Sequence, residues 1–253
     1  MAFEPPIVSA SILSSNLACL GKSLSLADPD YDWIHFDVAD GCFVPRLTFG
    51  TPVVAAARSQ SSAFFDVHLL VSRPERLVED LARAGASLIT FHPQTCEQPV
   101  TLLRRIRELG MRAGLALDPA TPFESARRHL AELDVLNVMT TGAEYDGPAF
   151  VPEMLDRIRS AKAERERTGL TFMIQADGCL ALDNLNAVRM AGADVFVVGA
   201  PIFGVEDPPH AMALIRASLR GQSIEGTVGG IAPIPVAKPR PVITFLKNRA
   251  RRR

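Results

Sequence analysis

The order of apolar and amphipathic segments predicts an α/β protein: a single (β/α)8 TIM barrel over residues 1–220, followed by a flexible basic C-terminal tail, 221–253. Three observations predict it. Eight short aliphatic runs recur along the chain, amphipathic stretches separate them, and several stretches enter the next run through a glycine. Eight strand–helix units in about 220 residues fit a barrel, which typically takes about 250 residues and tolerates fewer. An open doubly wound sheet is the alternative. It calls for a glycine fingerprint after the first strand, and SASILSSN (9–16) has none.

In chain order the strand candidates are IVSAS (7–11), WIHFDV (33–38), FFDVHLL (64–70), SLITFH (87–92), MRAGLAL (111–117), VLNVMT (135–140), TFMIQAD (171–177) and DVFVVG (194–199). Each has strand length and is rich in Val, Ile, Leu and Phe. Between them, PERLVEDLARAG (74–85) places Leu77, Leu81 and Ala84 on one helical face and stops at Gly85. VTLLRRIRELG (100–110) does the same with Leu102, Ile106 and Leu109. Residues 150–169 form the longest helix candidate, charged on one face in its second half. DNLNAVRMAGA (183–193) opens with Asp183 as N-cap and closes at Gly192. The phrases ARAGASLITFH and RMAGADVFVVG share one junction: helix, glycine, apolar strand. A parallel sheet with helices packed outside needs that junction.

Composition narrows the function. From Gly221 onward seven basic residues stand against one acid, so the first 220 residues hold 20 of the 27 basic and 27 of the 28 acidic groups, a net charge of −7. An acidic body is not built to bind nucleic acid. The segment 221–253 is rich in Gly and Pro and reads as a disordered tail. No apolar run reaches the ~18–20 residues of a membrane span, and no basic-then-apolar leader precedes Ile7. Cys19, Cys42, Cys96 and Cys179 are far apart with no CxxC, so buried or half-buried free thiols in a reducing cytoplasm are expected. A homo-oligomer is expected.

Functional groups of such a barrel gather at the C-terminal strand ends. Those ends carry His35 and Asp37, Asp66 and His68, His92, and Gln175 and Asp177. Residues two apart on a strand share a face. If that face is the lumen, His35, Asp37, His68 and Asp177 converge. Two imidazoles and two carboxylates suit one divalent ion: Zn, Fe, Mn or Co. Strands two and seven are three steps apart round an eight-strand ring. Asp37 and Asp177 are therefore placed to remove a proton from one face of a substrate carbon and return one to the other, with a metal stabilising the enediolate between.

The stretches SILSSN (11–16), WIHFDVADGCFVPRLTFG (33–50), DVHLLV (66–71), LDPATP (117–122), FVPEML (150–155), ADG (176–178) and GADVFVVGAPIFG (192–204) resemble the ribulose-phosphate 3-epimerase family, in order and over roughly residues 7–220. The resemblance implies a (β/α)8 barrel that epimerises C3 of a ketose phosphate, with one divalent metal held by His35, Asp37, His68 and Asp177. It implies Asp37 as proton acceptor, Asp177 as proton donor and Ser11 as a substrate contact. It further implies substrate contacts at His68, Gly142, Gly178, Cys179, Gly199 and Ala200, and D-ribulose 5-phosphate with D-xylulose 5-phosphate as the interconverted pair.

The chain departs from the family pattern in several places. TTGAEYDGPAF (140–150) replaces a glycine-rich phosphate loop and introduces Glu144 and Asp146; Cys179 stands for a glycine, Ala200 for a serine, Arg46 for an asparagine, and Ala39 and Leu70 for methionines. FVPEML and ADGC also resemble the related allulose-6-phosphate 3-epimerases. A 3-epimerase of another sugar, phosphorylated or not, and a catalytically silent sugar-phosphate-binding barrel are the alternatives.

Overall fold

The computed structural model describes residues 4–27, 32–142 and 149–222. Eight strands, β1 (Ile7–Ser11), β2 (Asp32–Ala39), β3 (Phe64–Leu70), β4 (Leu88–Phe91), β5 (Arg112–Leu117), β6 (Val135–Met139), β7 (Met173–Asp177) and β8 (Val195–Val198), close into one parallel barrel in sequence order. Closure is direct: β1 pairs with β2 on one side and β8 on the other. Helices cover the outside: α1 (Leu20–Leu24), α2 (Thr51–Arg58), α3 (Val78–Ala84), α4 (Pro99–Glu108), α5 (Glu124–Arg127), α6 (Met154–Thr168), α7 (Leu185–Ala191), α8 (Ala200–Phe203) and α9 (Pro208–Leu219).

Every strand is buried on both faces, which explains why the strands read as near-continuous apolar runs. One face packs on the helices. The other fills the lumen in tiers two residues apart. At the N-terminal end Ile7, Trp33, Leu88, Val135 and Val195 form an apolar plug closed by Phe64 and Met173. Two residues further along, the tier is polar: Ser9, His35, Asp66, Thr90, Asn137 and Gln175, all fully buried. Two further on stand Ser11, Asp37, His68, His92, Met139 and Asp177.

The expected helices form with adjusted ends. The 74–85 stretch divides into a 3-10 turn, Pro74–Arg76, and α3, ending at Gly85 with φ +90°. The 150–169 stretch turns helical only at Met154, because Val151 N–H first donates to Thr140 O, tying the segment to the end of β6. Asp183 is not the N-cap of α7. Asn184 holds that position, and its amide accepts from Ala181 N–H and donates to Cys179 O, which winds 181–184 into a turn ahead of the helix. The thiols also differ from expectation: Cys19, at the end of the 3-10 turn Leu17–Cys19, and Cys42, in the loop after β2, are exposed, while Cys96 and Cys179 are half-buried; all four are free.

No helix among the described residues is long and apolar enough to cross a membrane. Residues 223–253 of the expected tail, 221–253, and the two acids Glu144 and Asp146 lie outside the described residues.

Candidate metal and acid–base site

The alternation of β2 puts His35 and Asp37 into the lumen, and β3 adds Asp66 and His68 beside them. β7 brings Asp177 from the other side. His35, Asp37, His68 and Asp177 each offer a ligand atom, all within 4.8 Å of one another. His35 Nε2 is 3.1 Å from Asp37 Oδ1 and 3.6 Å from Asp177 Oδ2. His68 Nδ1 is 3.4 Å from Asp37 Oδ1 and 3.2 Å from Asp177 Oδ2. The donors thus alternate, imidazole and carboxylate, round a small ring.

That ring has the dimensions of a metal cage. Four ligands about 2.1 Å from a tetrahedral ion stand roughly 3.4 Å apart. His68 Nδ1 is also a buried polar atom with no hydrogen-bond partner, an arrangement that costs free energy unless something binds there. The mixed nitrogen–oxygen set fits Zn, Fe, Mn or Co.

Groups behind the ring hold each ligand. Asp66 Oδ2 accepts from His35 Nδ1 (2.7 Å), Ser9 Oγ (2.9 Å) and Gln175 Nε2 (2.5 Å). This assigns the Nδ1 proton of His35 and leaves Nε2 turned to the ring. Ser11 Oγ donates to Asp37 Oδ2 at 3.2 Å, and Asn137 Nδ2 donates to Asp177 Oδ2 at 3.1 Å. His92, at the end of β4, lies with Nε2 3.0 Å from His68 Nε2, its ring stacked on His68 and covered by Phe43. The loop carrying Phe43 is fixed by Asp40, which accepts from Cys42 N, Phe43 N, Ser72 N and Ser72 Oγ. Partial burial opposes ionisation of Asp40, but these donors outweigh it and hold its carboxyl at about 2.

The charges follow from the packing. Burial disfavours an imidazolium at His35, yet Asp66, then Asp37 and Asp177, raise it well above the ordinary imidazole value. Burial likewise opposes charge on His68, and the nearby carboxylates of Asp177 and Asp37 raise it to about 8. Burial would raise Asp37, but His35 and His68 hold its carboxyl well below the ordinary range. His92 moves the other way: burial, then the neighbouring His68, push it well below the usual value.

The ring opens into a cavity of about 390 Å³. Asp37 and Asp177 line it from opposite sides, with Ser11, Met139, Gly178, Cys179, Gly199 and Ala200. Of the sequence-derived contacts, Gly142 is exposed and outside the lining, where Thr141 stands, and His68 is wholly buried beneath it. Arg46 also lines the cavity. Two glycines allow close approach: a Cβ on Gly178 would lie 2.3 Å from Thr141 Cγ2, and one on Gly199 2.4 Å from Ser14 Oγ. Sequence reasoning assigned no role to Asp66, His92, Asn137 or Ser9. Period-two spacing is the signal that places them in the lumen: Asp66 is two before His68, Ser9 two before Ser11, Asn137 two before Met139 and His92 two after Thr90.

The model of the Ribulose-phosphate 3 epimerase family matches residues 7–203. The Ribulose-phosphate 3-epimerase of Escherichia coli (strain K12) is 36% identical over 221 residues, covering 87% of this chain and 98% of the relative. That of Mycobacterium bovis is 34% identical over 219 residues, covering 87% and 95%. Among solved structures, KGPDC from Streptococcus mutans has a TM-score of 0.65 at 14% identity, covering 86% of this chain and 98% of its own. The 3-hexulose-6-phosphate synthase from Salmonella typhimurium has 0.64 at 16%, covering 85% and 99%. At such identities these two share the fold.

Proposed function

The chain belongs to the ribulose-phosphate 3-epimerase family and is an isomerase of the epimerase class, and on that premise we propose that it is a divalent-metal-dependent ketose-phosphate 3-epimerase interconverting D-ribulose 5-phosphate and D-xylulose 5-phosphate. The observation that carries the reading is the pair of carboxylates, Asp37 and Asp177, facing one cavity from opposite strands of the barrel and sharing one ring with His35 and His68.

His35, Asp37, His68 and Asp177 would hold the ion. A bound divalent cation supplies Lewis-acid polarisation of the substrate carbonyl next to C3. The remaining steps belong to side chains. Asp37, kept ionised, takes the C3 proton from one face. Asp177, on the far side, gives a proton to the other face, and the configuration at C3 inverts. In the reverse direction the roles exchange. Ser11 orients the outer oxygen of Asp37, and Asn137 holds the ring-facing oxygen of Asp177. Positioned acid–base groups of this kind contribute about 10²–10⁴-fold each. The turns after β7 and β8, at Gly178, Cys179, Gly199 and Ala200, take the phosphate end through backbone N–H groups, as barrels of this type commonly do.

The test is proton exchange in heavy water, with purified protein and a panel of ketose phosphates and free ketoses. Loss of the C3 proton from D-ribulose 5-phosphate is the expected result. No exchange with any sugar would leave the silent-barrel reading. Exchange only with another sugar would move the assignment. The sequence of 140–150 favours that second reading in one respect: an acid about 8 Å from a phosphate charge costs roughly 2 kcal/mol at an effective dielectric near 20. Inhibition by inorganic phosphate, compared between wild type and Glu144→Gly/Asp146→Gly, decides it. A large gain in the double variant would favour a substrate without phosphate at that end.

A further inference from the structure

We propose that His92 is a positioning residue for the metal centre: it accepts the Nε2–H of His68 and so keeps the Nδ1 of His68 bare for the ion. The inference rests on the proposed metal reading of the four-residue ring and extends it to a residue outside that ring.

The argument is one of proton count. The two Nε2 atoms are 3.0 Å apart, and both rings are wholly buried. A contact of that length between ring nitrogens holds one proton. If His92 donates it, His68 Nε2 is the acceptor. A neutral His68 then carries its own proton on Nδ1, the atom that faces Asp37 and Asp177, and that nitrogen has no lone pair for an ion. If His68 donates, its Nδ1 is free to ligate. The direction of this single hydrogen bond therefore decides whether His68 can be a ligand.

The surroundings of His92 favour the second direction. With Nε2 accepting, its ring proton is on Nδ1. The carboxylate on that side is Asp118, whose Oδ2 is 3.9 Å away, beyond hydrogen-bond reach of the buried Nδ1, and is held by Gln94 Nε2 at 2.8 Å. A carboxylate there attracts an N–H and repels a bare nitrogen. The partner behind His68 is also suited to the total charge. Asp66 already backs His35 with a carboxylate, so Asp37 and Asp66, joined by Asp177 whenever it is ionised, bring two to three negative charges against a divalent ion. A second carboxylate behind His68 would add another in the same dry volume, where the developing charge of the reaction must also be accommodated. An imidazole orients His68 without that cost.

The test uses the full-length chain, stripped with a chelator and titrated with Co(II), following visible absorption. Wild type is expected to take up one ion. His92→Phe keeps a ring against Phe43 but removes the acceptor. It should bind Co(II) about 10–100-fold more weakly, as loss of an outer partner of a ligand typically does, with an altered spectrum. His92→Gln restores an acceptor and should recover most of the loss. Equal affinity and spectrum in His92→Phe would overturn the inference, as would a His92→Gln variant as weak as His92→Phe, which would indicate packing alone. Absence of Co(II) uptake by wild type would instead overturn the metal reading, and this inference with it. Nitrogen-15 NMR of the five histidines in the metal-loaded wild type gives an answer even if His92→Phe fails to fold. His92 protonated at Nδ1 is the expected result, and His92 protonated at Nε2 would refute it.

Discussion

Gly178→Ala probes the turn that delivers Asp177 to the cavity. Gly178 has φ +119°, a region that L side chains rarely adopt, and an added Cβ would lie 2.3 Å from Thr141 Cγ2 and 2.9 Å from the Thr141 backbone nitrogen. A rotamer change relieves the first contact but not the second. Strain of this kind costs about 1–3 kcal/mol. For a domain of this size 1 kcal/mol lowers Tm by roughly 2–4 °C, so a fall of about 2–12 °C is expected. The displacement also reaches the neighbours. Asp177 is tied through its carbonyl to Thr140 N–H at 2.7 Å, and Cys179 already holds φ +53°. A shift of about 1 Å at a reacting carboxylate can cost 10²-fold in rate. The assays are thermal unfolding and C3 exchange, with KM and kcat taken separately on phosphorylated sugar. Thr141→Ser in the same chain removes Cγ2 and leaves the backbone contact, so it should rescue only part of the loss. A Gly178→Ala protein with wild-type Tm, KM and kcat would refute the reasoning.

Four further outcomes are expected. Asp37→Asn and Asp177→Asn should each lower epimerisation by at least about 10²–10⁴-fold. Exchange at one C3 face should outlast epimerisation in one of them, and near-normal turnover in either would reverse the role assignments. Metal affinity should fall on acidification, because the ion must displace the ring-side protons of His35, held well above its ordinary value, and of His68, held near 8. Below about pH 8 titration calorimetry should show a loss of up to about tenfold per pH unit for each proton displaced. The metal-free fold carries the opposite sign. These raised histidines stabilise it fully only below the unfolded imidazole value of about 6.5, and that contribution disappears as pH rises through the folded values, so its Tm should fall between about pH 6.5 and 9. Asp66→Asn keeps an oxygen for His35 but removes the charge behind it. Metal binding should weaken about 10–100-fold, and an unchanged Kd would show that the hydrogen bond alone suffices.

Most of the fold was legible because a parallel barrel leaves strong marks. Strands buried on both faces appear as unbroken aliphatic runs, and helix ends need residues that tolerate positive φ, as at Gly85, Gly169 and Gly192. Helix starts were less legible. Asp183 looked like a cap, but the amide of Asn184 was already committed to Ala181 and Cys179, a choice that depends on a turn no propensity encodes. The ring of four was legible for a different reason. His-x-Asp on one strand and Asp-x-His on the next have the strand period, so the lumen face collects two histidines and two aspartates from β2 and β3, and β7 adds Asp177 to complete the ring.

What sequence alone did not reveal is the division of labour within those pairs. Asp37 and Asp66 are both aspartates two residues from a histidine, yet Asp37 lies in the ring and Asp66 lies behind it. Strand register decides this. His35 is paired with Asp66 and Asp37 with His68, so the reversed order on β3 puts its acid in the deeper tier beside His35 and its histidine in the upper tier beside Asp37, and His68 meets the ring through Nδ1 while His35 meets it through Nε2. The deeper tier then has to be polar. Asp66 must satisfy Ser9, His35 and Gln175 at once, and Asn137 must reach Asp177. Burying six polar side chains in the middle of a barrel forgoes the apolar packing that a purely structural lumen would use. Fixed tautomers and fixed carboxylates above that tier would offset the sacrifice, and the proposed proton transfer between two faces of one carbon demands both.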